Sequence, residues 1–217
     1  AYSFRPFDVE DKETGKILKA HVGKLEKPIK TLPLVLSFDF NIDPITCSVI
    51  QSNGKNWIRF HKEYRLENSN IYKLCDAIKR DFRPSTIIGK DGKRGEYYIY
   101  VTGDASGQSG SAMVADNLNY YTIIKQELNL SNEQMRVPSV NPDLANNRVL
   151  TNSLLERFPS IIFDQEGCPF LIDDMTYVEV KEEGGIDKTK DTQKTKRLDT
   201  ARYYLNTFWC NLSKIKI

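Results

Sequence analysis

The chain has 217 residues, 40% of them hydrophobic and 28% charged, with 31 Lys and Arg against 29 Asp and Glu. That is the composition of a soluble globular protein, one well-buried domain or a tight pair, and it excludes a disordered chain or a fibre. A net charge of +2 carries no nucleic-acid signal by itself, and no apolar run approaches the roughly 18 residues that cross a bilayer, so no membrane partner is expected.

The opening Ala1-Tyr2-Ser3-Phe4-Arg5-Pro6 has neither the basic nor the apolar stretch of a secretory signal. A start on Ala1 points to a piece of a longer polypeptide. Residues 1–30 are polar and lysine-rich and are expected to form a lead-in or linker that wraps on a main domain at 31–217. From Leu34 to Phe40 the chain is almost continuously apolar, as in a central strand. Asn41 to Pro44 has turn chemistry, and Ile45–Gln51 reads as a second strand. Ser52-Asn53-Gly54-Lys55 makes a hairpin into a third strand over Asn56–Tyr64. Three strands joined by short turns form an antiparallel meander.

A helix follows, capped by Ser69, with Ile71, Leu74, Cys75, Ile78 and Phe82 at helical spacing. Lys90 to Gly95 reads as an exposed turn, and Tyr97–Val101 as a fourth strand ending in Gly103-Asp104-Ala105-Ser106-Gly107. Asp116 is expected to cap a helix from Asn117 to about Leu130. Met135–Val140 reads as a fifth strand, and Asn141-Pro142 as the start of a helix through Phe158. Ile161–Phe163 reads as a short strand and Pro169 to about Val180 as a helix. Residues 181–196 are too polar to bury much and are expected to form a mobile loop or hairpin. A last helix runs from Arg197 to about Leu212, with Leu198, Ala201, Leu205, Phe208 and Trp209 on one face. Strands separated by helices favour parallel crossovers, so the order predicts an α/β fold with a mixed sheet flanked by helices, compatible with the ribonuclease-H-like arrangement.

Three aspartates sit in unusual places. Asp39 lies inside the apolar strand, where a carboxylate is costly unless paired or holding a cation. Asp104 lies where a strand gives way to a Gly-rich segment, the kind of place where active sites of open α/β sheets gather. Asp199 opens the last helix. Converging carboxylates suit hard cations such as Mg²⁺ or Mn²⁺, and two such ions are able to drive phosphodiester hydrolysis. Each aspartate also has a plain structural reading: a paired strand residue for Asp39, a turn residue for Asp104, a helix-dipole partner for Asp199. Asp173-Asp174 is either a fourth ligand pair or a solvated helix face. The Ser52–Lys55 and Lys90–Arg94 turns and the run Lys188, Lys190, Lys194, Lys196 and Arg197 are either phosphate contacts or solvated charge. Cys47, Cys75, Cys168 and Cys210 are far apart and form no C-x-x-C pair, which reads as reduced thiols of a cytosolic protein. His21 and His61 are too few for most zinc sites, and no Walker A motif is present, so the chain carries no P-loop ATPase.

Leu36-Ser37-Phe38-Asp39-Phe40-Asn41 with Asp43-Pro44, Gly103-Asp104-Ala105-Ser106-Gly107, Asn141-Pro142 with Asn152, Cys168-Pro169-Phe170-Leu171-Ile172 and Leu198-Asp199-Thr200-Ala201-Arg202-Tyr203 resemble, in order, the nuclease domain of tailed-phage terminase large subunits. Ala20-His21-Val22-Gly23 resembles that family's entry into the domain. The last motif departs from the His-x-x-Asp-Ala-x-x-Tyr common in relatives: Lys196 stands in the histidine's place, and Thr200 separates Asp199 from Ala201. The resemblance implies a ribonuclease-H-like fold and an endonuclease that cuts concatemeric double-stranded viral DNA in the host-cell cytoplasm. It implies two Mg²⁺ or Mn²⁺ ions on Asp39, Asp104 and Asp199. It also implies three partners: a portal ring, a small terminase subunit and an ATPase domain of the same full-length polypeptide. Two other readings remain, a junction-resolvase type of nuclease and a module that only docks on DNA or the portal.

Overall fold

The structure, a computed structural model, describes residues 2–40, 44–89, 91–109, 118–178 and 196–211, with only the backbone for 196 and 197. The expected loop at 181–195 and the Asp116 cap lie outside the described residues. Val9–Glu10 (β1) and Ile17–Leu18 (β2) form a small antiparallel hairpin, and Val22–Gly23 (β3) joins the main sheet. The meander follows as Leu34–Asp39 (β4), Ile45–Ser52 (β5) and Ile58–Leu66 (β6), antiparallel throughout. Then come helix Ile71–Phe82 (α1), strand Ile99–Gly103 (β7), helices Tyr120–Glu127 (α2) and Leu144–Arg157 (α3), strand Ile161–Asp164 (β8), and helices Pro169–Tyr177 (α4) and Lys196–Trp209 (α5).

Among the described residues the main sheet has the order β3-β8-β6-β5-β4-β7. β7 runs parallel to β4, and β8 parallel to both β6 and β3, as crossovers through helices require. It is the mixed sheet of a ribonuclease-H-like fold, with helices on both faces. Alternation along β4 divides the core. Leu34, Leu36 and Phe38 pack with Leu74, Ile78, Ile123 and Ile124 of α1 and α2. Val35 joins Ile50, Phe60 and Phe163 under Leu154, Leu171, Leu198 and Leu205 of α3, α4 and α5.

Four boundaries differ from the sequence reading. Met135–Val140 is not a strand: Met135 makes a single bridge to Val101, and Pro138 has no N–H to extend a ladder. β7 starts at Ile99, two residues late. α1 is capped by Asn70, whose side chain accepts from the Lys73 amide. α3 is capped by Asp143, which accepts from the Asn146 amide, so Asn141 is left for another task. The polar lead-in contributes β3, whose Val22 and Gly23 pair with Phe163 and Asp164 of β8.

Candidate active site at the sheet end

β4 ends on Asp39. In the parallel ladder Phe38 is the register partner of Gly103, so Asp104 arrives beside Asp39, and its amide donates to the Phe38 carbonyl at 2.9 Å. Gly103 makes this approach possible. Its φ is +143°, and a Cβ there would lie 2.2 Å from the Phe38 oxygen. Gly107 has a similar reason, since a Cβ would meet the Phe40 ring at 2.3 Å. The glycines around Asp104 thus serve close packing at the strand end.

Asp199 comes from α5. That helix is docked on β4 and β5 through Thr200: the Ser37 hydroxyl donates to the Thr200 carbonyl at 2.6 Å, and the Ser48 and Thr200 hydroxyls share a hydrogen bond. The residue that departs from the relatives' motif is therefore the one that seats the helix.

Asp39, Asp104 and Asp199 are only 5%, 8% and 8% exposed. The Tyr203 phenol registers all three, for its pKa is pushed far up by burial and then by the charges of Asp199, Asp39 and Asp104. Tyr121 is raised in the same way by burial, Asp104, Tyr203 and Asp39, and its hydroxyl donates to the Asp104 carbonyl at 2.9 Å. The structure thus brings the three aspartates of the sequence reading into one electrostatic neighbourhood.

Protein groups hold two of these carboxylates. Asp104 Oδ1 accepts from the Ser106 amide at 2.8 Å and from Asn141 Nδ2 at 2.7 Å, and Oδ2 accepts from the Ser106 hydroxyl at 2.6 Å. Asp199 is ion-paired with Arg202, which is 1% exposed. Arg202 Nε donates to Asn147 Oδ1 at 2.9 Å, and Asn147 Nδ2 donates back to the Arg202 carbonyl at 3.2 Å. A buried carboxylate beside a buried, hydrogen-bonded guanidinium avoids the cost of a lone buried charge.

As a donor set, three all-oxygen carboxylates with no imidazole or thiolate fit a hard divalent cation. Among the described residues, however, no group of three or more His, Cys, Asp or Glu side chains is gathered closely enough to hold a metal ion. Gathering Asp39, Asp104 and Asp199 around ions requires the bonds from Arg202, Ser106 or Asn141 to adjust. Asp173 is exposed on α4 and Asp174 half-buried beside it; neither is among the charges that shift Tyr203. Lys188, Lys190 and Lys194 lie outside the described residues. Lys196 and Arg197 form the first turn of α5, just ahead of Asp199.

The sequence reading did not single out Arg202, Asn147, Ser106 or Tyr203. One signal was available, the i,i+3 spacing of Asp199 and Arg202 on a helix. The bond from Asn147 comes from 55 residues away and leaves no local trace.

No family model and no curated protein matches the sequence. Solved structures do. The nuclease domain of the large terminase g2p from bacteriophage SPP1, crystallised with bound Mn, aligns over 86% of this chain and 96% of its own, at 14% identity and a TM-score of 0.50. The chain has the large terminase nuclease fold. A complete large terminase from a thermophilic bacteriophage, in complex with ADP, aligns over the same 86% at 16% identity and a TM-score of 0.55. This chain spans 42% of that protein's length. Within the terminase nuclease fold of this chain, the three carboxylates stand where β4 and β7 end and α5 begins.

Proposed function

We propose that this chain is a metal-dependent endonuclease that cuts concatemeric double-stranded viral DNA during genome packaging. The observation that carries the reading is the joint action of Asp39, Asp104 and Asp199 on the buried Tyr203, in a terminase nuclease fold. The Mn in the SPP1 domain supports a divalent ion here. Two Mg²⁺ or Mn²⁺ ions about 4 Å apart supply an activated water and a stabilised leaving oxygen. Asp39, Asp104 and Asp199 are assigned to hold them. Asp39 is the candidate for the shared ligand, because it comes from a central strand with neighbours on both sides. Lys188, Lys190, Lys194, Lys196 and Arg197 are assigned to DNA phosphates. The portal ring, a small terminase subunit and an ATPase domain of a longer polypeptide are the proposed partners, with the host-cell cytoplasm as the location.

The test is plasmid nicking by the chain in Mn²⁺ and in Mg²⁺, with EDTA as the blank. Nicked and linear products that vanish with EDTA and with Asp39→Asn are expected. DNA binding without any cleavage in either metal would overturn the reading in favour of a docking module.

A further inference from the structure

The sheet end that carries Asp39 continues across the next two strands. Asp39 is the register partner of Thr46, and Thr46 of Arg65. Side chains paired across a ladder share a face. Two residues inward, Ser37 and Ser48 both bond to Thr200 of α5, and Glu63 Oε1 accepts from the Phe170 amide of α4 at 2.7 Å. Asp39, Thr46 and Arg65 therefore lie on the α4–α5 face. With Asp104 they form a row of four at one sheet end, acidic on β7 and β4 and basic on β6. Two antiparallel spacings put the Arg65 backbone about 10 Å from that of Asp39.

The Arg65 side chain is 37% exposed. Its guanidinium lies 5.9 Å from the centroid of the Phe170 ring and is ion-paired with Glu67. An arginine already confined between a ring and a carboxylate gives up less freedom when it takes a ligand. An exposed pair of this kind is weak, so a phosphate readily displaces Glu67.

We propose that Arg65 is a binding residue for the phosphate backbone of duplex DNA, next to the phosphate that meets the aspartates. The inference rests on the nuclease reading. A duplex carries one negative charge per about 1.7 Å of its axis. A strand that lays one phosphate on the acidic end of the row lays others across the sheet end. A guanidinium on the same face offers them a bidentate partner and offsets the repulsion from the carboxylates.

The test is duplex binding by the chain, followed by fluorescence anisotropy in EDTA over a series of NaCl concentrations. Arg65→Gln should weaken binding several-fold and reduce the slope of log affinity against log salt by about 0.9, one phosphate contact. Arg65→Lys should keep the wild-type slope. Arg80→Gln, a control on α1 across the sheet whose arginine is 73% exposed, should change neither. Thermal melting of Arg65→Gln should stay near wild type. An unchanged slope overturns the inference, and a lowered melting temperature with that unchanged slope reassigns Arg65 to packing against Phe170. If the wild type cuts plasmid while Arg65→Gln binds as it does, only this inference falls. A wild type that neither binds nor cuts removes the nuclease reading and this one together.

Discussion

Arg202 heads the fully buried side chains by size, and it is a cation. Its burial is tolerable because Asp199 and Asn147 satisfy it, and in turn it fixes where the Asp199 carboxylate points. Removing one partner of a buried pair leaves a stranded charge, so Arg202→Met should cost about 3–5 kcal/mol in urea unfolding. Asn147→Ala is gentler, about 1–3 kcal/mol for lost hydrogen bonds. That variant should stay folded yet need more Mn²⁺ for half-maximal cleavage, at unchanged DNA affinity. The same Mn²⁺ dependence as wild type would limit Arg202 and Asn147 to a stabilising role. Asp39→Asn makes the complementary case. It keeps shape and removes one charge from a crowded acidic site, so metal-free stability should hold or rise while cleavage falls by orders of magnitude. Melting without metal and plasmid cutting in Mn²⁺ check the two halves. A folded Asp39→Asn protein that cuts at the wild-type rate would take Asp39 out of the mechanism.

At the scale of elements, the junction of β4 and β7 sets the site. Gly103→Ala forces a Cβ to within 2.2 Å of the Phe38 oxygen and 2.7 Å of its nitrogen, at a φ that L side chains rarely adopt. Neither β4 backbone atom is able to yield easily inside a central strand. Strain and overpacking together should cost roughly 2–4 kcal/mol, read by denaturant unfolding, and cleavage should drop as Asp104 leaves Asp39. Full stability and activity would mean that the ladder bends there at little cost. The β4–β6 meander was legible because apolar runs and a Gly-containing hairpin are local signals. β3 was hidden because two residues in a polar stretch become a strand only by pairing with β8, about 140 residues on. Met135–Val140 misled because β-branched composition does not supply the missing Pro138 donor. Asp39 and Asp104 stood out by sequence context, one a charge among apolar neighbours and the other a strand-end residue between glycines. Arg202 and Arg65 did not, because an arginine on a helix or strand ordinarily reads as surface, and only the fold shows one buried and the other in register with Asp39.

At the scale of the whole molecule, the N-terminal segment is tied down by a histidine. His21 is 4% exposed, its Nδ1 accepts from the Arg5 amide at 2.9 Å, and its Nε2 lies 2.9 Å from the Leu155 carbonyl of α3. That pattern suits the neutral ring. Burial, with the Arg5 charge, pushes its pKa from 6.5 down to about 4, and burial with Arg59 does the same to His61. The unfolded chain therefore binds these protons more readily than the fold. Their contribution is complete above pH 6.5 and is lost as pH falls from 6.5 towards 4, and for His21 it amounts to roughly 2–3 kcal/mol. Asp81 acts in a lower window. Burial raises its pKa, but hydrogen bonds from Lys62, Arg80 and Tyr64 outweigh that and bring it to about 2, so its share persists until pH drops below 3.8. Wild-type melting temperature should then fall in two stages on acidification. His21→Gln keeps an acceptor for Arg5 and a donor for Leu155 without a titrating group. Its melting curve should be flatter than wild type between pH 6.5 and 4 and parallel to it below 3.8. Equal slopes in the upper window would mean that His21 does not control the acid sensitivity of this segment.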